Sequence, residues 1–128
     1  MGVDLDSACY VNKPEFGIEC VTKVVDAAIE NGVYVIIDWH SHNLRQEEAK
    51  EFFTQMATRY KGVPNVIYEV FNEPVEDSWE QVKSYSVEVI KTIRAIEPDA
   101  VILVGCPHWD QDIHLAADDP ITVYDNIM

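Results

Sequence analysis

Apolar positions along the chain follow two rhythms. Three short runs, at 33–37, 66–71 and 101–106, are apolar at almost every position and rich in Val and Ile. Runs of about four to eight such residues read as strands buried on both faces of a parallel sheet. Between them the pattern changes to a helical repeat. Val21, Val24, Val25, Ala28 and Ile29 share one face of a helix opened by Pro14 and Glu15 and stopped by Asn31-Gly32. Ala49, Phe52, Phe53, Met56, Ala57 and Tyr60 form one stripe over about 46–60. Glu47 and Glu48 open that segment and Arg59 and Lys61 close it, which suits a helix dipole. A third helix begins at Ser78, with Gln81 placed for a capping box. It turns Val82, Tyr85, Val89, Ile90 and Ile93 inward and ends before Pro98. A short helix is predicted near 111–117.

The strand starts at 33, 66 and 101 lie one βα unit apart. Alternating helices and strands imply a parallel sheet with helices outside it. Two architectures compete, an open doubly wound sheet and a (β/α)8 barrel. The glycine-rich turn of a dinucleotide fold is absent. Polar and aromatic residues follow each strand instead: Asp38-Trp39-His40-Ser41-His42, Asn72-Glu73-Pro74 and Pro107-His108-Trp109-Asp110. Barrel enzymes gather their functional groups at such strand ends. A whole barrel takes about 250 residues, and this chain has 128. The expectation is one α/β domain over 1–128, a partial TIM barrel of about half the full ring.

Composition narrows the partners. Twenty-three acidic against nine basic residues give a net charge of −14. Nucleic acid and anionic membranes both need positive surface, so neither is expected as a partner. At 48% hydrophobic and 25% charged the chain can bury a core. No apolar run approaches the roughly 20 residues of a membrane helix. The start, Met1-Gly2-Val3-Asp4, lacks the basic and apolar regions of a signal peptide. Cys9, Cys20 and Cys106 include no C-x-x-C pair, which argues against a thiolate zinc site. Cys106 ends a strand-like run and is expected in the core.

Three groups of residues could carry chemistry. Glu73 sits at the tip of a buried strand, where desolvation can keep a carboxyl protonated near neutrality. Asn72 beside it offers a donor and an acceptor to a sugar hydroxyl. The plainer alternative is an ordinary strand-to-loop turn. Glu69 shares the parity of Glu73 and is expected deeper on the same face, as an internally hydrogen-bonded residue. Asp38, His40 and His42 also share one face. His40 and His42 could bind a metal, though no third ligand is spaced to join them. Trp109 lies just past a strand end, where an indole can stack on a sugar ring. Trp39 and Trp79 read as packing residues.

Taken as runs, these segments resemble glycoside hydrolase family 5 endoglucanases of the bacterial cellulase branch. The resemblance rests on residues 34–40 (YVIIDWH), 65–74 (NVIYEVFNEP) and 102–105 (ILVG), on Trp109-Asp110-Gln111-Asp112 and on Ala116-Ala117-Asp118-Asp119. It implies a (β/α)8 barrel that cleaves β-1,4-glucans with retention, without a metal or other cofactor. On that resemblance Glu73 matches the proton donor, Asn72 holds the sugar 2-hydroxyl, and His40 lines the same subsite. Trp109 is then the aromatic platform, and β-1,4-glucan or a cello-oligosaccharide the ligand. It also implies a secreted parent. The segment matches from the end of the second barrel strand to the start of the sixth, so the family's nucleophile on the seventh strand has no counterpart here. Two further functions stay open: a non-catalytic half-barrel that self-assembles or binds glucan, and a metal-dependent hydrolase using His40 and His42. Open strand edges predict a homodimer or larger assembly.

Overall fold

The computed structural model describes residues 10–128. Three parallel strands, β1 (Val35–Asp38), β2 (Val66–Glu69) and β3 (Val101–Leu103), form a sheet in the order β1-β2-β3. Helix α1 (Pro14–Glu30) precedes β1, α2 (Gln46–Arg59) joins β1 to β2, and α3 (Trp79–Arg94) joins β2 to β3. A turn α4 (Pro107–Asp110) and a short helix α5 (Ile113–Asp118) follow β3. Strands adjacent in sequence are adjacent in the sheet. With right-handed crossovers that order puts every connecting helix on one side, as in a barrel wall. A doubly wound sheet would reverse its order at some point. Beyond α5 the chain returns to the sheet. Ile127 forms a parallel bridge with Ile102, and Met128 N–H and Ile102 C=O lie 2.9 Å apart. A fourth parallel edge thus begins beside β3.

The helical stripes pack as their spacing requires. All six stripe residues of α2 and all five of α3 are buried. They meet Ile37, Tyr68, Val70 and Ile102 in a single core. Trp39, Tyr10, Phe52 and Phe53 form an aromatic group with centroids 5.1 to 6.5 Å apart and mostly edge-on geometry. Ser78 caps α3: its Oγ accepts the Gln81 N–H, and the Gln81 Oε1 accepts the Ser78 N–H at 2.9 Å. Gly32, at φ 64°, ends α1 in the left-handed region that glycine enters without strain.

Four details differ from the sequence pattern. Val24 of α1, expected inward, is 64% exposed, and Thr22 is buried instead. Thr22 can be buried because its hydroxyl donates back to the Ile18 carbonyl at 2.9 Å. β1 begins later than expected, because the Val33 N–H closes the end of α1 on the Ala28 carbonyl. β3 ends earlier, because Val104 N–H turns to Met128 and Cys106 N–H to the Asp110 carboxylate. A turn that the pattern did not predict precedes the last helix: residues 107–110, with His108, Trp109 and Asp110 at φ 55°, 55° and 61°. Cys106 is buried as expected, Cys20 is half-buried, and Cys9 lies outside the described residues. No described helix is long and apolar enough to cross a membrane.

Candidate active site

Strand register builds the site. Asp38 pairs with Glu69, and Glu69 with Leu103, so these three stand level across the sheet. Alternation then sets Ile36, Asp38 and His40 on the face away from the helices, while Ile37 and Trp39 go under them. Ile37 and Trp39 are 2% and 1% exposed and Ile36 is 49% exposed, which confirms the division. The carboxylates of Asp38 and Glu69 therefore line the helix-free face, near the C-terminal ends of the strands.

The exits of the three strands are tied together above this layer. Trp39 N–H donates to the Glu69 carbonyl at 3.0 Å, and Asn72 N–H to the Trp39 carbonyl at 3.3 Å. The Asn72-Glu73-Pro74 turn is then held from both sides. The Glu73 carbonyl lies 3.3 Å from His42 Nδ1, and the Pro74 carbonyl accepts the Trp109 N–H at 3.0 Å. A carbonyl only accepts, so the proton of His42 sits on Nδ1. Gly105 lets β3 press against this turn: a Cβ there would lie 2.6 Å from the Phe71 carbonyl oxygen and 2.8 Å from that of Asn72. The left-handed run His108–Asp110 carries strain of about 1–3 kcal/mol per residue. The contacts that hold it include the Trp109 N–H just described, the Asp110 N–H on the Cys106 carbonyl at 3.0 Å and Asp110 Oδ1 accepting the Cys106 N–H at 2.7 Å. Trp109 is left 51% exposed at the mouth.

The electrostatics follow from crowded, half-buried carboxyls. His40 Nδ1 donates to Asp38 Oδ2 at 2.8 Å, which leaves Nε2 free. Burial pushes the Asp38 carboxyl up against the opposing pull of His40. Glu69 is pushed up to about 7, by burial first and then by the charges of Asp38 and Asp110. Asp110 is also raised by burial. All three feel the negative charge of Glu73, so Glu73 lies within their reach. The Asn72 Nδ2 and the Asp38 Oδ1 are buried without a hydrogen-bond partner among the described residues. Such groups await a donor or acceptor from outside the chain segment.

The structure gathers Glu73, Asn72, His40 and Trp109 at one end of the sheet. It changes one expectation. The Glu69 carboxyl accepts no hydrogen bond from the described residues; burial, and after it the charges of neighbouring carboxyls, push it up to about 7 instead. His40 and His42 do not form a metal centre with a third group: each ring uses its Nδ1 on another partner, and no three ligating side chains converge among the described residues. Trp39 packs under α2, and Trp79 is buried with its Nε1–H on the Asp119 carbonyl at 2.9 Å, as their positions suggested. Gly105 and Asp110 were not singled out as site residues. A glycine inside an apolar strand run was the available signal for the first.

Comparison with known proteins decides what this arrangement belongs to. The sequence profile described as cellulase, glycosyl hydrolase family 5, matches residues 7–128. The chain belongs to glycosyl hydrolase family 5. Endoglucanase Z of Dickeya dadantii is 48% identical over 124 residues, covering 94% of this chain and 29% of that protein. Endoglucanase A of Evansella cellulosilytica is 45% identical, covering 92% of this chain and 26% of that protein. A structure from Cytophaga hutchinsonii superposes with a TM-score of 0.95 at 43% identity, covering all of this chain and 42% of that one. The catalytic domain of Thermobifida fusca endoglucanase Cel5A, solved in complex with cellotetraose, gives 0.88 at 35% identity, covering 93% and 43%. This family 5 chain therefore spans well under half the length of these relatives. Its sheet and helices are part of a TIM barrel, and the exposed face of β1–β3 is the barrel interior.

Proposed function

We propose that the chain carries the acid/base side of the active site of a retaining endo-β-1,4-glucanase, from the end of the second barrel strand to the start of the sixth. Glu73 is the proton donor. Its carboxyl protonates the glycosidic oxygen as the C1–O bond breaks, and its carboxylate then takes a proton from the water that releases the sugar. Asn72 holds the 2-hydroxyl through its unpartnered Nδ2, and His40 presents its free Nε2 to the same subsite. Trp109 stacks against a sugar ring. The nucleophile, a second carboxylate about 5–5.5 Å from the first in a retaining enzyme, comes from the remainder of the barrel. The substrate is a β-1,4-glucan or cello-oligosaccharide, and a polymer of that kind places the work outside the cell.

The observation that carries this reading is the clamped Asn72-Glu73-Pro74 turn beside a buried, unpaired amide. A turn that served only as a connection would not need both carbonyls held. The test is Glu73→Gln in the barrel completed by the rest of the parent chain. Hydrolysis of soluble cellulose should fall on the order of 10²-fold or more, with or without a chelator. Activity within a few-fold of the parent would overturn the assignment.

A second reading concerns the chain by itself. Ile36 and Val101 on the barrel-interior face are 49% and 37% exposed, and among the described residues no strand pairs with the outer edge of β1. Two copies would bring together about the eight strands of a closed barrel. On this reading the free chain is a self-associating half-barrel.

A further inference from the structure

A second cavity, of about 340 Å³, lies at the opposite ends of the strands from Glu73. It opens between the turn after α2 and the turn after α3, and its wall includes Tyr60, Pro64, Val66, Tyr68, Glu97 and Asp99. Tyr68 is 1% exposed, and its hydroxyl is buried with no hydrogen-bond partner among the described residues. A buried hydroxyl left unpaired costs about 1–3 kcal/mol. Its phenol is pushed up to about 12, by burial first and then by the nearby Glu97 and Tyr60. Tyr68 and Glu97 are both part of the cavity wall.

The other polar groups define what could fill it. Tyr60 donates its own hydroxyl to Asp26 Oδ1 at 2.9 Å, so it offers the cavity a ring and not a donor. Glu97 Oε2 accepts the Gly62 N–H, which leaves Oε1 unused. Neither Glu97 nor Asp99 has an ion-pair partner among the described residues, and the lining contains no Lys or Arg. The cavity thus presents acceptors and negative charge over an apolar floor. An anion is repelled. A neutral polyol supplies donors but leaves Glu97 without an opposite charge, Asp99 having the Arg94 guanidinium near it. A compact cation bearing N–H groups on a short carbon stem answers all of these features.

We propose that this cavity binds a small primary ammonium compound, held by Glu97, Asp99 and the Tyr68 hydroxyl, with its stem against Val66 and Pro64. The site is independent of the glucan cleft and of the function proposed for it.

The test is a titration of the chain with ethylammonium chloride at fixed ionic strength, following the backbone amide signals of Gly62 and Ala100 by NMR. Saturable shifts are expected. Tetramethylammonium has the same charge and no N–H, so it should bind at least about tenfold more weakly; glucose should not saturate. Tyr68→Phe removes only a hydroxyl that makes no internal bond, and should weaken ethylammonium about tenfold with the remaining spectrum unchanged. Asp99→Asn, at an exposed position, should weaken it as well. Linear shifts, or equal affinity for both cations, would reduce the site to bare charge attraction and overturn the proposal. Saturation by glucose would make it a polyol site instead. An unchanged affinity in Tyr68→Phe would mean that a water alone satisfies the hydroxyl, and would equally overturn it.

Discussion

The two faces of the same three strands differ more than any two helices of the molecule. On the helix-covered face Ile37, Trp39, Tyr68, Val70 and Ile102 are at most 2% exposed and meet the stripes of α2 and α3. On the other face, one residue away along each strand, Ile36 and Val101 are exposed and Asp38 and Glu69 crowd together. The first face has its apolar side chains covered within the described residues. The second leaves the Asp38 Oδ1 without a hydrogen-bond partner among the described residues and has its carboxyls raised. Stability and chemistry are thus assigned to alternate residues of one strand, a division that a period of two makes available.

That contrast can be broken first on the covered face. Phe53→Ala removes a fully buried ring between Trp39, Phe52 and Tyr68. It should cost about 3–5 kcal/mol in denaturant unfolding, while Ile36→Ser on the open face should cost less than about 1 kcal/mol. Equal losses would mean that the faces are not distinct.

Gly105→Ala tests the join between the faces. A Cβ at 2.6 Å from the Phe71 carbonyl cannot be absorbed by a flexible side chain. A loss of about 1–3 kcal/mol is expected. In the completed barrel, activity should fall as well, because the atoms displaced are the carbonyls that lead into Glu73. A variant as stable and as active as the parent would show that the close approach does not set the turn.

Self-association sharpens the comparison from the open side. Light scattering of the isolated chain should give a mass above the monomer value of 14.6 kDa that rises with concentration. Ile36→Lys should shift it toward the monomer by placing a charge where apolar surface meets its partner. A monomer at all concentrations would show that the open face tolerates water.

A further expected effect is a pH dependence. The Glu69 carboxyl is raised in the folded chain from an ordinary 4.5 to about 7. The folded state therefore holds this proton more tightly than the unfolded one. The stability it contributes is full below about pH 4.5 and is lost as pH rises through about 7. Glu69→Gln should flatten that part of the stability profile and leave the chain relatively more stable at pH 8. A profile with the same slope in both proteins would place the titration elsewhere.

Much of this architecture was written in the sequence. The stripes of α2 and α3, the Ser78–Gln81 capping box, the three strands and the gathering of Asn72, Glu73 and Trp109 at strand ends all follow from local periodicity and end signals. Those signals depend only on neighbours a few residues apart, which the chain states directly. The burial of Thr22 in place of Val24 did not follow, because a hydroxyl that can return to its own helix escapes the hydrophobic rule. Neither did the work of His42, Gly105 and Asp110. Two act across a gap between strands, His42 on the Glu73 carbonyl and Gly105 against the Phe71 and Asn72 carbonyls, while Asp110 closes its own loop on the Cys106 N–H in the turn that brings Trp109 to Pro74. Sequence alone determined which residues reach the C-terminal ends of the strands. Only the parallel register, which sets Asp38 level with Glu69 and presses β3 onto the turn of β2, decided how they are held there. Through-space contact between distant segments is fixed by sheet pairing, and no local pattern encodes it.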